Sequence, residues 1–409
     1  MTTDTLPISP IEGAQILLGV SGGIAAYKAA DLASRLVQLG AQVTVALTEN
    51  GIKFVGSATF EAITQQPVHT SVFAPWTREW HGHISVGQRS DVIVVAPATA
   101  GTIARLAHGM AEDMLGASVL ASRCPLLIAP AMEEAMFRHL ATQQNIDTLR
   151  ARGAIVVGPE PGRLASGELG LGRMSEPATI VGAVRAALGL NGVLAGRLLV
   201  ITAGGTREPI DPIRYIGNRS SGMMGYSIAQ AAIDAGADVT LITGSTSLGV
   251  PHGARVVNVD SVAEMKAAVD EAVIDADVLI MTAAVSDYRP AKAFTSKIKK
   301  AEVDGEFCLQ LETTQDILAN VHRPNLIKIG FAAETADLES NAQKKISAKS
   351  LDLIVANDAV ATIGSRTSKA TLIEPDGTLK RLPMMDKQEL GRVLIARVSD
   401  LLDQRGRAG

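Results

Sequence analysis

The sequence predicts a two-domain α/β protein, each domain a parallel sheet doubly wound with helices on both faces. Three observations predict this. Continuous apolar runs, such as Ile16 to Val20 and DVIVVAPATA (91–100), lack the alternation of half-exposed strands, so they read as strands buried on both faces. Stretches of helical length separate them, which is the pattern of βαβ units. The order of strand, small-residue turn, helix and strand occurs twice in a chain of 409 residues, more than a single core supports.

In the first half, Ile16 to Val20 leads into SGGIAAYKAADLASRLVQLGA and then VTVALTENG. In the second, Leu198 to Thr202 leads through a longer loop into SSGMMGYSIAQAAIDAGA and VTLITGS. Leu39-Gly40 and Ala235-Gly236 fall at matching helix ends, where glycine suits the C′ position. Each half then has an apolar run ending in small residues, DVIVVAPATA and DVLIMTAAVSD (277–287). The boundary is expected at GLNGVLAG (189–196), giving two Rossmann-like domains, 1–190 and 191–409.

Composition excludes several classes. With 47% apolar and 20% charged residues the chain reads as globular, not disordered. A net charge of −4 gives no electrostatic footprint for nucleic acid or an anionic membrane. No apolar run reaches the roughly 20 residues of a membrane span. The start, MTTDTLPISP, lacks the basic region and apolar core of a signal peptide and reads as a short disordered tail. Cys124 and Cys308 have neither CxxC nor metal spacing, so neither a disulfide framework nor a zinc site is expected, and a reducing cytoplasm fits.

Ligands of doubly wound sheets bind at the carboxyl ends of strands. GVSGGIAAYK (19–28) follows a strand and opens a helix. It is either an anion site built from Ser21, Gly22 and Gly23 or simply a tight turn that needs glycine. It is not GxGxxG, so a nicotinamide dinucleotide is disfavoured. Thr48 and Thr99 end two further strands at the same edge, and His83 precedes the second of them. In the second half, Gly204, Gly205 and Thr206 follow the first strand. Asn218 to Gly222 precede a helix, as an N-cap or a second anion site. Ala283 and Asp287 end the run 277–287. Lys297, Lys299 and Lys300 form one basic run, and Lys345 and Lys349 share a helix face, either as solvated charge or as phosphate ligands.

The motifs GVSGGIAAYK, HIS…DVIVVAPATA, AHGMAEDM, APAM…AMF and SGELGLGRM resemble, in order and spacing, the flavin-dependent cysteine decarboxylases. ITAGGTREPIDPIRYIGNRSSG, AAVSDYRP, KIKK and GFAAET resemble phosphopantothenate–cysteine ligases. From about residue 14 onward the chain therefore resembles the bifunctional enzymes of coenzyme A biosynthesis. The resemblance implies a flavodoxin-like first domain that binds FMN at Ser21, Gly22, Gly23, Thr48 and Thr99. His83 would be its active-site histidine, and Met132 and Glu133 would lie beside the substrate. FMN would serve as an electron sink for loss of CO2 from 4′-phosphopantothenoylcysteine. For the second domain the resemblance implies a ligase that activates 4′-phosphopantothenate with CTP as an acyl-cytidylate, which cysteine then attacks. Lys297 would act in activation and Asn218 in conversion to product. Ala283, Asp287, Gln315, Asp316, Ile317, Phe331, Lys345 and Lys349 would contact the nucleotide. Mg2+ would accompany the triphosphate, with Asp287 as its candidate ligand. The family also implies a homo-oligomer, with a trimer-based decarboxylase and a paired ligase, up to a dodecamer.

Three positions depart from the family pattern. Glu133 replaces the asparagine of PxMNxxMW, Ser166 replaces the flap cysteine, and Met223 replaces the lysine of GNRSSGKMG. A hydroxyl is a far weaker acid than a thiol. Glu133 is expected either to be protonated and donate a hydrogen bond, or to turn away and pair with Arg138 or Arg173. In the second case Asn145 or backbone groups would hold the substrate. The alternative function is a ligase fused to a non-catalytic flavin-binding regulatory module.

Overall fold

The computed structural model describes residues 9–73, 82–299, 307–334, 338–358 and 364–408. Contacts divide them into two units, Ser9–Gly189 and Leu190–Gly409.

The first unit runs β1 (Gln15–Val20), α1 (Ala26–Gln38), β2 (Gln42–Leu47), α2 (Ser57–Thr64), α3 (His83–Arg89), β3 (Val92–Ala98), α4 (Ala100–Ala107), α5 (Met114–Ala121), β4 (Leu126–Pro130), α6 (Glu134–Arg138), α7 (Leu140–Ala151), β5 (Ile155–Val156), β6 (Glu160–Arg163), β7 (Leu169–Arg173) and α8 (Pro177–Gly189). Its sheet has the order β2-β1-β3-β4-β5 and is parallel throughout, the flavodoxin-like order. β3 is buried along its whole length, as its unbroken apolar run requires. Successive side chains of β1 serve opposite cores. Leu18 packs with Leu32, Leu36 and Val184 on one face, and Leu17 with Ile103, Leu115 and Ile146 on the other. An antiparallel hairpin, β6–β7, follows the sheet.

The second unit runs β8 (Leu198–Ala203), β9 (Arg207–Pro209), β10 (Tyr215–Gly217), α9 (Met223–Asp234), β11 (Asp238–Thr243), β12 (Arg255–Asn258), α10 (Val262–Ala272), β13 (Val278–Met281), β14 (Tyr288–Pro290), β15 (Leu311–Thr313), α11 (Ile317–Asn320), β16 (Ile327–Glu334), α12 (Leu338–Lys349), β17 (Leu353–Asp358), β18 (Thr367–Ser368), β19 (Ala370–Ile373), β20 (Leu379–Arg381), β21 (Met385–Asp386) and α13 (Lys387–Ala408). Its main sheet has the order β12-β11-β8-β13-β16-β17-β19-β20. The first six strands are parallel in Rossmann order. β19 and β20 add antiparallel edge strands, so this sheet is mixed where the sequence suggested a purely parallel one.

Gly40 and Gly236 terminate α1 and α9 with φ of 89° and 90°, the left-handed conformation expected at these helix ends. The strand expected over 277–287 stops at Met281. Thr202 Oγ1 accepts from the N–H groups of Thr282 and Ala283, each at 3.1 Å, and a side chain there replaces the ladder. Residues 282–287 thereby become a loop at the sheet edge. Among the described residues, no helix is long and apolar enough to cross a membrane. The expected N-terminal tail, residues 1–8, and Lys300 lie outside the described residues.

Candidate functional site

In the first unit, Ser21, Thr48 and Thr99 each stand one residue beyond a strand of the same sheet edge. Ser21 Oγ donates to the Pro97 carbonyl at 2.7 Å and accepts from Thr99 N at 3.1 Å, tying the end of β1 to that of β3. Thr99 in turn caps α4, its side chain accepting from Thr102 N. Thr48 is buried, and its hydroxyl accepts from Gly51 N at 3.1 Å, so it shapes the turn after β2. The two glycines differ. A Cβ on Gly22 would collide with Asn50, with the backbone carbon of Asn50 only 2.7 Å away, so Gly22 is required by that turn. A Cβ on Gly23 would meet only the Thr99 methyl, at an ordinary 3.5 Å. Among the described residues, the N–H groups of Gly22, Gly23, Ile24 and Ala25 donate to no backbone carbonyl. A row of such donors at a helix start is an anion site. Half-buried His83 opens α3, which packs on α5 and β1.

The edge continues through β4. Ala131 N donates to Ala98 O at 3.1 Å, and Met132 N donates to Gly172 O at 3.0 Å, which stitches the β6–β7 hairpin to the segment after β4. At the hairpin tip, Ser166 N and Oγ donate to Glu133 Oε1 and Oε2 at 3.3 and 3.1 Å. Neither expected course for Glu133 describes this contact. Glu133 is the acceptor here, and its donors are on the flap. The two cations named for it are committed elsewhere, Arg138 to Glu134 at 2.5 Å and Arg173 to Glu176 at 2.9 Å. Asn145 lies within α7, half-buried.

In the second unit, a cavity of about 590 Å³ opens at the carboxyl ends of the central strands. Its wall brings together Asn218, Ala283, Asp287, Gln315, Asp316, Ile317, Phe331, Lys345 and Lys349, with Ser220, Ser221 and Gly222 at the start of α9. Asn218 follows β10 and is held at both ends of its amide. Nδ2 donates to Ala284 O at 2.6 Å, and Oδ1 accepts from Ser220 N at 3.0 Å. Gly205 lets the amide lie flat on the chain, since a Cβ there would be 2.8 Å from Asn218 Cγ. The β9–β10 hairpin that delivers Asn218 is anchored by buried Glu208, which accepts from Val262 N at 2.9 Å at the start of α10. Asp316 caps α11 and pairs with Lys349 at 2.7 Å. Burial pushes its carboxyl up, but the Lys349 ammonium and the Ala319 N–H outweigh burial and hold it below the ordinary range. Among the described residues, no group of three or more His, Cys, Asp or Glu is placed to hold a metal ion.

Lys297 does not line this cavity, and neither do Gly204, Gly205, Thr206 and Lys299. Lys297 is exposed on the segment after β14. That segment is clipped to the β9–β10 turn. Phe294 N donates to Ile210 O at 2.8 Å, Ile298 N donates to Asp211 Oδ2 at 3.2 Å, and Arg214 Nη2 donates to Ile298 O at 3.1 Å. The Arg214 guanidinium beside buried Asp211 holds its carboxyl far below the usual carboxylate range, and the N–H groups of Ile213, Arg214 and Ile298 add to this. Because the folded-state value is depressed, this contribution to stability is full above the unfolded carboxylate value of about 4 and is lost only as pH falls through the folded value. The clip therefore persists through mildly acid pH. Asp211→Asn is expected to release it at neutral pH, raising proteolytic cleavage within 291–299 roughly tenfold. Equal cleavage in parent and variant would show that the clip does not hold the segment.

Residues 8–189 match the Flavoprotein family, and residues 194–402 match the DNA/pantothenate metabolism flavoprotein C-terminal domain. A coenzyme A biosynthesis bifunctional protein CoaBC from Vibrio vulnificus is 42% identical over 400 residues, covering 96% of this chain and 99% of the relative. The chain belongs to the CoaBC family. Two further CoaBC proteins, from Mycobacterium tuberculosis and Bacillus subtilis, are 47% and 43% identical. They cover 84% and 96% of this chain, and 85% and 98% of their own lengths is matched.

Two of the three positions that the sequence resemblance marks as departures, Glu133 and Ser166, touch each other across 33 positions of sequence. Sequence reasoning took them separately, because nothing in a linear pattern reports a flap tip returning to the end of β4. Ser166→Ala removes one exposed hydrogen bond and should change stability by about 1 kcal/mol or less. In Glu133→Gln the amide oxygen still accepts from Ser166 N, and the serine hydroxyl can turn to accept from the amide. That variant should keep the flap closed, measured as unchanged protease resistance at Ser166. Cleavage as fast as in Glu133→Ala would contradict this.

Proposed function

We propose that the chain performs two consecutive steps of coenzyme A biosynthesis, joining 4′-phosphopantothenate to cysteine and decarboxylating the product to 4′-phosphopantetheine. The observation that carries this is the gathering of nine residues, from separate segments between Asn218 and Lys349, around one cavity at the carboxyl edge of the second sheet. We assign the decarboxylase to residues 1–190 and the ligase to 191–409.

In the ligase, the pantothenate carboxylate attacks the α-phosphorus of CTP. An acyl–phosphate bond forms and pyrophosphate leaves; the cysteine amine then displaces CMP. Lys297 acts in the first step, and the Asn218 amide donor acts in the second. Lys345 and Lys349 face the phosphates, Phe331 packs on the base, and Mg2+ travels with the triphosphate. In the decarboxylase, the donors of Gly22 to Ala25 and the open face of Gly23 fit the FMN phosphate, with Ser21 and Thr99 fixing the edge. Bound FMN supplies the electron sink that loss of CO2 requires. Met132 and the Glu133–Ser166 contact border the substrate, and His83 moves a proton at the cysteinyl group. We place the protein in the cytoplasm as a homo-oligomer.

The second reading is a ligase joined to a flavin-fold module without turnover. The Glu133–Ser166 contact favours it, since it puts a carboxylate where the family resemblance expects an amide beside the substrate carboxylate, and like charges repel there. Incubation with phosphopantothenate, cysteine and CTP, with mass detection of products, separates the readings. CMP, pyrophosphate, CO2 and phosphopantetheine are expected. Phosphopantothenoylcysteine alone would select the second reading, and ADP released from ATP would overturn the activation chemistry.

A further inference from the structure

Lys328 sits in β16, inside the main sheet of the second unit with β13 on one side and β17 on the other, and only 8% of it is exposed. Its strand neighbours Ile327 and Ile329 are apolar and fully buried. An ammonium is costly in such surroundings unless it is hydrogen-bonded. Here two carbonyls accept from it: Nζ donates to Lys349 O at 2.7 Å and to Val321 O at 3.1 Å. Lys349 is the last residue of α12, and Val321 follows the last residue of α11. Carbonyls at helix ends have no intrahelical partner, and a cation beside them also suits the helix dipole. Burial pushes the Lys328 ammonium below its ordinary range, and the carboxylates of Asp352 and Asp316 oppose this.

The face of β16 that carries Lys328 also carries Gly330. A Cβ on Gly330 would lie 2.8 Å from Leu351 and 3.1 Å from Leu318, so α11 and the chain leaving α12 both close on this face. Lys349 is therefore held twice. Its carbonyl is held by Lys328, and its ammonium pairs at 2.7 Å with Asp316, which lines the cavity as Lys349 does. Just beyond it Ser350 takes a φ of 50°, a left-handed conformation that a residue other than glycine keeps only where its surroundings impose it.

We propose that Lys328 is a positioning residue of the cavity: it acts through Lys349, fixing the backbone from which that side chain reaches the wall, an assignment that rests on reading the cavity as a nucleotide site. Without Lys328 the last turn of α12 loses the donor to its final carbonyl and frays more readily. Lys349 then meets a polyphosphate from a range of positions, and ordering it is charged against binding.

The test is a double-mutant cycle in the full chain. Lys328→Met keeps the length of the side chain and donates nothing, and Lys349→Met removes the contact through which Lys328 acts. Steady-state CMP release gives kcat and the KM values for CTP and cysteine. Lys328→Met should raise KM for CTP about tenfold and leave kcat and KM for cysteine within about twofold of the parent. Lys349→Met should raise KM for CTP by a similar factor, and adding Lys328→Met to it should raise KM little further, because the two changes remove one interaction. The Asp316 carboxylate lacks Lys349 on both sides of that comparison, so its effect cancels. A parent-like KM for CTP in Lys328→Met would overturn the proposal. So would factors that multiply in the double variant, since independent effects mark a packing role. If Lys328→Met does not fold, Lys328→Gln, polar but too short to reach both carbonyls, takes its place under the same two criteria. If the parent releases no CMP from CTP, the nucleotide reading has failed. Hydrogen exchange over residues 343–353 then decides: exchange about tenfold faster in the Lys328 variant supports the hold on α12, and parent-like exchange overturns it.

Discussion

Asn218→Asp is expected to lower ligase turnover about a hundredfold without unfolding the second unit, and to let the acyl-cytidylate accumulate. The side chain is held by two hydrogen bonds of opposite sense, Nδ2 to the Ala284 carbonyl at 2.6 Å and Oδ1 from Ser220 N at 3.0 Å. Aspartate keeps the second and cannot make the first. It sets a carboxylate oxygen against a carbonyl oxygen, so the side chain must swing away. The swing removes a donor from the cavity wall and loosens Ser220 to Gly222 ahead of α9. Loss of one positioned donor at a developing oxyanion is worth about two to three powers of ten in turnover. Asn218 is exposed, so global stability should change by about 1 kcal/mol at most. Rapid quench with mass detection of the intermediate checks the order of events. CMP release at the parent rate would remove Asn218 from the reaction.

The architecture was legible because it rests on burial. A strand such as β3, covered on both faces, needs an unbroken apolar run, and that run is visible without any structure. Helix-ending glycines were legible for a similarly local reason, as only glycine takes φ near 90° at little cost. Where side chains compete with the backbone, pattern failed. The run 277–287 looks like one long strand, but the hydroxyl of Thr202, some 80 positions away, captures the N–H groups of Thr282 and Ala283 and ends it at Met281. β19 and β20 were missed because strands of four and three residues are too short to carry a long apolar run. At the second unit, small residues at strand ends pointed to the edge where the cavity opens. The partners in neither unit followed from sequence, since Glu133 with Ser166 and Asp211 with Ile298 are contacts made by loops.

The two glycines of the first turn should respond in opposite ways. Gly22→Ala drives a methyl into Asn50, whose backbone carbon stands 2.7 Å from the new Cβ. The turn after β2 is held by the buried Thr48 hydroxyl and cannot retreat freely. Overpacking of this kind costs about 1–3 kcal/mol, so Gly22→Ala should lower the melting temperature of the first unit and lose flavin as a consequence. Gly23→Ala meets only the Thr99 methyl at 3.5 Å, and Gly23 is not among the glycines with positive φ, so the alanine fits the apo fold without strain. Its methyl instead occupies space beside the N–H groups of residues 22–25, which donate to no backbone carbonyl among the described residues and where the proposed phosphate would approach. Gly23→Ala should therefore keep the parent melting temperature without FMN and bind FMN about a hundredfold more weakly, a loss of about 2.7 kcal/mol. Thermal melts with and without added FMN, beside flavin fluorescence titration, measure both effects on one sample. A Gly23→Ala protein that binds FMN as tightly as the parent would show that the cofactor phosphate does not sit on this turn. The glycines would then serve the turn alone.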